Sequence, residues 1–127
     1  MALTCLAVAV SLAAGCGSDD DERPTAAPSL ADLRVKVDRD GKGGQPAETG
    51  TVRCSSPGES PQCEEVAALR LADLEPTSGA TACTQLYGGP QTATIEGTLR
   101  GEPVDLSFSR VNGCEMARWD AARPLLG

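Results

Sequence analysis

The stretch that decides the fold is TATIEGTLRGEPVDLSFS, residues 92–109. Apolar side chains alternate with polar ones before and after a turn at Arg100-Gly101-Glu102-Pro103. A period of two is typical of half-buried strands, and two such runs around a glycine-containing turn predict an antiparallel hairpin. One face of this hairpin is apolar, and the other carries Thr, Ser and charged side chains. We therefore expect an antiparallel sheet that is covered on one face.

Further elements are predicted on both sides of the hairpin. Residues 33–37 alternate in the same way and predict a strand, and residues 51–54 predict a second, shorter one. Ser60 followed by proline is typical of a helix start, and the apolar stripe that follows predicts an amphipathic helix over 61–74. Residues 112–127 predict a turn and a short helix. Together these elements predict an α+β fold in which helices cover an antiparallel sheet.

The N-terminus has the pattern of an export signal. Residues 1–15 carry no charged side chain, are rich in Ala, Val and Leu, and lead to Leu-Ala-Ala-Gly-Cys16. An apolar run of about 15 residues is too short to cross a bilayer, which needs roughly 20. Small residues before a cysteine are typical of a bacterial lipobox. We predict a lipoprotein signal peptide over 1–15 and lipidation of Cys16; the alternative is an ordinary secretory signal that leaves Cys16 as a free thiol.

Residues 16–30 predict a solvated tether. The acidic run Asp19–Glu22 is followed by Pro, Ala, Thr and Ser, which cannot build a core. Adjacent carboxylates without a glycine turn or interleaved carbonyl ligands do not form a calcium loop, so this run is interpreted as part of a spacer. The chain has 127 residues, which leaves one domain over 31–127.

Charge and composition exclude several classes of function. The net charge is −7, and an acidic chain without a Lys/Arg stripe is a poor binder of nucleic acid. The sequence contains no histidine and two lysines, Lys36 and Lys42, which both lie in or beside the first predicted strand. Histidine is the commonest general base, and no paired acids form a recognisable motif. We therefore expect no catalytic residue and no cofactor.

The cysteines predict two disulfides. Of six cysteines, Cys5 leaves with the signal peptide and Cys16 is lipidated, which leaves Cys54, Cys63, Cys83 and Cys114. An even number in an exported domain predicts disulfides, and four cysteines allow three connectivities. A zinc site is the competing interpretation. It is disfavoured because the spacings lack the close cysteine pairs of a zinc knuckle, so no metal is expected.

Two short motifs carry a resemblance to a known family. They are Cys-Thr-Gln-Leu-Tyr at 83–87 and Asn-Gly-Cys-Glu-Met at 112–116, set around the predicted hairpin and preceded by a strand and a helix that each carry a cysteine. With this order of elements, residues 33–116 resemble the subtilisin-inhibitor-like family of secreted bacterial serine-protease inhibitors. The resemblance implies a sheet of about five strands with two helices, Cys54–Cys63 and Cys83–Cys114 disulfides, and a possible homodimer.

The resemblance also implies a reactive-site loop and a partner. Gln85–Leu86 corresponds to the scissile bond, and the flanking loop residues are Cys83, Thr84 and Tyr87. Asn112 corresponds to the residue whose side chain braces the loop. The implied function is substrate-like inhibition of a secreted or surface serine protease of the subtilisin type, by a protein held at the membrane through lipidated Cys16. The alternative is a non-inhibitory cell-surface lipoprotein, a binding module on the same fold.

Overall fold

The predicted hairpin forms the centre and one edge of an antiparallel sheet in a computed structural model that describes residues 28–127. Within these residues the sheet has four strands in the order β2-β1-β3-β4. Their bounds are β1 Ala31–Asp38, β2 Glu48–Cys54, β3 Thr92–Leu99 and β4 Glu102–Phe108. The α+β class is confirmed, with four strands rather than about five. The signal peptide, Cys16 and most of the tether lie outside the described residues.

The register keeps the apolar side chains of neighbouring strands on one face. Leu33 of β1 lies opposite Val52 of β2, and Val35 of β1 lies opposite Ile95 of β3. All four side chains are buried. Within β3, Gly97 has a φ of +138°, and a Cβ there would collide with the main-chain carbonyl of Asp32. Glycine therefore allows the close approach of β1 and β3 at this point.

The hairpin turn is tighter than predicted and also contacts a helix. Arg100 and Gly101 both have positive φ, at 53° and 79°, so the turn consists of these two residues and β4 begins at Glu102. The Arg100 guanidinium donates to the carbonyl oxygens of Ala67 and Leu69. The turn therefore donates hydrogen bonds to main-chain carbonyls at the end of a helix. These carbonyls have no N–H donor within that helix.

The prediction of one continuous helix over 61–74 is wrong. The structure has α1 at Pro61–Ala68 and α2 at Leu71–Leu74, separated at Leu69, whose ψ of 139° is extended. The Ser60 hydroxyl accepts a hydrogen bond from the N–H of Cys63 and so caps α1 as expected. In a continuous helix the carbonyls of Ala67 and Leu69 would accept hydrogen bonds from main-chain N–H groups. The chain can bend here because the Arg100 guanidinium donates to these carbonyls instead.

The C-terminal segment contains two helices rather than one. Helix α3 spans Gly113–Ala121 and α4 spans Arg123–Leu126. Pro124 lies in the first turn of α4, where its missing N–H costs nothing. Trp119 of α3 is partly buried and packs against the core.

Both disulfides have the pairing that the resemblance implies. Cys54 at the end of β2 is joined to Cys63 in α1, and Cys83 is joined to Cys114 in α3. Two disulfides indicate an oxidising, extracytoplasmic compartment. Within residues 28–127, no helix is both long enough and apolar enough to cross a membrane.

A buried arginine joins α3 to the end of α2. Arg118 is 6% exposed, and its Nε and Nη2 donate to the carbonyl oxygen of Leu74 at 3.2 and 2.7 Å. Its Nη1 donates to Glu115 at 2.8 Å, and its guanidinium lies 4.8 Å from the centre of the Phe108 ring. A buried charge with this set of partners is stabilising only while the set is complete.

We expect Arg118→Ala to lower the free energy of unfolding by about 2–4 kcal/mol, because the Leu74 carbonyl and the Glu115 carboxylate lose their partner. Urea unfolding followed by circular dichroism measures the loss. Arg123→Ala is the matched control, because Arg123 pairs with Asp120 at the surface and should cost less than about 0.5 kcal/mol. Equal losses for the two variants would contradict the role of Arg118.

Candidate functional site: a clamped, exposed loop

Residues 83–90, here called the displayed loop, connect the α2 region to β3 without forming a helix or a strand. Leu86 and Tyr87 are 64% and 65% exposed. Among the described residues, these two and Val111, at 54%, are the exposed large apolar side chains. Because Leu86 and Tyr87 are adjacent in the chain, exposed apolar surface is concentrated on the displayed loop.

The N-terminal limb of the displayed loop is fixed by a covalent bond and a hydrogen bond. Cys83 is bonded to Cys114, with 5.4 Å between their Cα atoms. The N–H of Gly113 donates to the carbonyl oxygen of Thr84 at 3.0 Å. A Cβ at Gly113 would collide with the Thr84 hydroxyl oxygen, so glycine allows this close approach. The backbone is therefore held directly before Gln85.

The C-terminal limb is held by noncovalent contacts. The N–H of Gly88 donates to the carbonyl oxygen of Arg110 at 2.7 Å. A Cβ at Gly88 would lie 2.7 Å from Sδ of Met116, so the thioether packs closely on the Gly88 main chain. Gly89 has a φ of +130°, a conformation that disfavours other residues. The backbone conformation at Gly89 thus favours glycine, and the absence of a side chain at Gly88 lets the Met116 thioether pack against the main chain.

Between the two clamps, residues 85–87 form an exposed arch. The clamping hydrogen bonds join Thr84 to Gly113 and Gly88 to Arg110, so three loop residues lie opposite two residues, Val111 and Asn112. In the part of the chain that the structure describes, the main-chain N–H and C=O groups of residues 85–87 make no hydrogen bond within the protein. These groups are available to a partner that pairs with an extended backbone.

Asn112 lies at the base of the arch. Its side-chain oxygen accepts a hydrogen bond from the N–H of Glu115 at 2.9 Å and caps α3, and its carbonyl oxygen accepts from Met116 at 2.9 Å. Asn112 therefore fixes the start of the helix whose next two residues, Gly113 and Cys114, hold the N-terminal limb. A direct brace from its side-chain amide to the loop stays a prediction.

A polar turn supports the far end of the displayed loop. A Cβ at Gly41, which has a φ of +63°, would collide with the carbonyl oxygen of Pro90. The turn is held by the carboxylates of Asp38 and Asp40, which accept main-chain N–H bonds. The bond from the N–H of Lys42 is the main cause that holds the pKa of Asp40 below its usual range. Across residues 28–127, no group of three or more His, Cys, Asp or Glu side chains is arranged to hold a metal ion.

The structure places the five consecutive residues predicted for the reactive site, Cys83 to Tyr87, on one exposed loop and Asn112 beside its base. Arg110, Gly113 and Met116 contact the loop directly, and no role was predicted for them. Gly113 and Met116 belong to the second motif, so their position in it was the available signal. Arg110 contributes a main-chain carbonyl, which no side-chain pattern can reveal.

Comparison with protein-family models, with curated proteins and with solved structures gave no match for this chain. The displayed loop and the motifs at 83–87 and 112–116 are the features of this chain that bear on its function.

Replacing both Cys83 and Cys114 by Ser should release the N-terminal limb. The chain-entropy model gives a loss of about 3.5 kcal/mol for a ring of this size, and we expect cleavage within residues 83–88 by an added metalloprotease to accelerate at least about tenfold. Mass mapping of the first cleavage products identifies the site.

The double serine variant of Cys54 and Cys63 is the control, with an expected entropic loss of about 2.5 kcal/mol from its smaller ring. Because this disulfide lies away from the loop, its removal should not direct cleavage to residues 83–88. The same first cleavage site in both variants would contradict a specific role for Cys83–Cys114.

Proposed function

We propose that this protein is an exported inhibitor of subtilisin-type serine proteases that presents the displayed loop as a substrate. The observation that supports this most directly is the arch at residues 85–87. It is exposed, lies between two fixed limbs and makes no main-chain hydrogen bond to another residue within 28–127. An exposed segment of this kind suits the cleft of a protease, which pairs with the substrate backbone as an added strand. No residue of the inhibitor itself needs to be catalytic.

The scissile bond in this proposal is Gln85–Leu86. Gln85 enters the primary specificity pocket, while Leu86 and Tyr87 lose their exposed apolar surface to the protease. The disulfide and the hydrogen bonds hold the limbs before binding, so the loop has little conformational freedom left to lose. Reducing that loss is the general way in which a preorganised ligand gains affinity.

The two clamps also explain how the loop would resist hydrolysis. When the protease serine attacks the Gln85 carbonyl, the bond to the Leu86 nitrogen breaks and a new amine forms. Cys83 stays joined to Cys114 by the disulfide, and Gly88 stays hydrogen-bonded to Arg110. Both new chain ends therefore remain in place. The amine can then attack the acyl-enzyme and reform the peptide bond before water does.

The location proposed for the inhibitor is the outer surface of the membrane. Lipidated Cys16 would hold the protein there, and residues 17–30 would let the domain reach a protease nearby. The inhibitor would form a homodimer, as the resemblance implies. The competing candidate is a non-inhibitory binding module, which would use the same exposed side chains, Leu86, Tyr87 and Val111, to contact another protein.

The exported full chain carrying Cys16→Ser should inhibit subtilisin with an inhibition constant on the order of nanomolar to micromolar. Gln85→Pro should abolish this, because proline lacks the N–H that pairs with the protease backbone. Gln85→Ala is the matched control: it keeps the N–H and should change the inhibition constant by less than about 100-fold. The measurement is the residual activity of subtilisin and of several other serine proteases in the presence of each variant.

Rapid and complete cleavage at Gln85–Leu86 without inhibition would reject the inhibitor and favour the binding module. Equal inhibition by the wild-type loop and by Gln85→Pro would place the inhibitory surface elsewhere on the domain.

The anchor is tested separately. Cys16→Ser removes the proposed lipid attachment point, so we expect the protein to move from the membrane fraction to the medium. Fractionation of the producing bacteria followed by immunoblotting measures this change, and Ser18→Ala, two residues away, is the control that should stay in the membrane fraction. Membrane retention of the Cys16→Ser protein would contradict lipidation at this cysteine.

A further inference from the structure

The contact between Gly88 and Met116 gives the displayed loop a chemically sensitive support. A Cβ placed on Gly88 would lie 2.7, 2.9 and 3.1 Å from Sδ, Cγ and Cε of Met116, so the whole end of the thioether covers this glycine. Met116 is itself partly exposed. The sequence contains two methionines, and the other, Met1, is in the predicted signal peptide.

The two limbs of the loop differ in how they are held. The N-terminal limb has the Cys83–Cys114 disulfide in addition to its hydrogen bond. At Gly88 the C-terminal limb has a hydrogen bond to Arg110 and the contact with Met116. Part of the support of this limb is therefore a packing contact that a change in one side chain can remove.

Helix α3 holds Met116 in a fixed place. Its N–H donates to the carbonyl oxygen of Asn112 at 2.9 Å, in the first turn of the helix, and Cys114 two residues earlier carries the disulfide. The backbone of Met116 cannot shift far to relieve a clash. A larger or more polar side chain at this position must either turn away from Gly88 or displace the loop, which is the less constrained partner.

We propose that Met116 is an oxidation site through which a peroxide changes the position of the displayed loop. In this reaction the thioether sulfur attacks one peroxide oxygen, the O–O bond breaks, and an S–O bond forms. The sulfur loses two electrons. The proton of the attacked oxygen moves to the second oxygen, which leaves as water. The product is methionine sulfoxide, which thiol-dependent reductases return to methionine.

Oxidation turns a flexible apolar contact into a polar one. The sulfoxide oxygen needs hydrogen-bond partners, and Gly88 already donates its N–H to Arg110. Either the sulfoxide turns to solvent and the packing on Gly88 is lost, or it stays and displaces the glycine. Both outcomes loosen the C-terminal limb. If the proposed inhibition holds, a loop loosened on this side releases its new amine end after cleavage, and the inhibitor becomes a substrate.

The test compares the exported full chain carrying Cys16→Ser with the same protein carrying Met116→Leu. Leucine has a similar volume and is not oxidised. Both proteins are treated with hydrogen peroxide, and peptide mapping by mass spectrometry confirms the added oxygen on Met116. Two quantities are then measured: the hydrogen-exchange rates of the Gly88 and Gly113 amides, and the inhibition constant against subtilisin.

We expect oxidation to raise the exchange rate of the Gly88 amide at least about tenfold and that of the Gly113 amide less than about twofold, because only the C-terminal limb loses support. The inhibition constant should rise at least about tenfold as well. Methionine sulfoxide reductase should reverse both changes, and Met116→Leu should show neither.

The outcomes separate this inference from the proposed function. If the untreated protein does not inhibit but oxidation still accelerates exchange at Gly88, the inhibitor proposal is wrong and the oxidation site stands. Unchanged exchange at Gly88 after oxidation overturns the inference, as does an equal response of Met116→Leu. Resistance of Met116 to peroxide under conditions that oxidise free methionine overturns it too.

Discussion

The Cys83–Cys114 disulfide is the constraint on which the candidate site depends, because it joins the displayed loop to the first turn of α3. From that fixed point Gly113 reaches the Thr84 carbonyl, and Met116 reaches Gly88. Helix α3 can serve as this support because Arg118 attaches it to the carbonyl end of α2. A surface loop thereby takes its position from a helix that is anchored in the core.

The site exposes apolar side chains in a small domain that needs such side chains to build its core. Leu86 and Tyr87 are displayed to solvent, although the chain has one Phe, one Trp and one Tyr to bury. A protein that exposes its tyrosine does not use it for its own stability. The disulfides reduce the dependence on a large core, which leaves apolar surface available for a partner.

Several features of the fold could be predicted because they follow from local sequence. The period-two pattern of 92–109 predicted the hairpin, and Ser60-Pro61 predicted the start of α1. The break at Leu69 could not be predicted, because the apolar stripe continues through it without interruption. Its partner, the Arg100 guanidinium, comes from a turn 31 residues away in the chain. Periodicity records which side chains share a face, but it does not record which distant donor competes for a helix carbonyl.

By itself the sequence determined the strands, the number of disulfides and the segment most suited to recognition, because alternation, cysteine count and short motifs are local properties. The tertiary structure decided how that segment is held. The carbonyl of Arg110, the missing side chain of Gly113 and the thioether of Met116 act on the loop through close main-chain approach. Such contacts join residues from separate elements and depend on backbone positions, which are set only when the helices pack on the sheet.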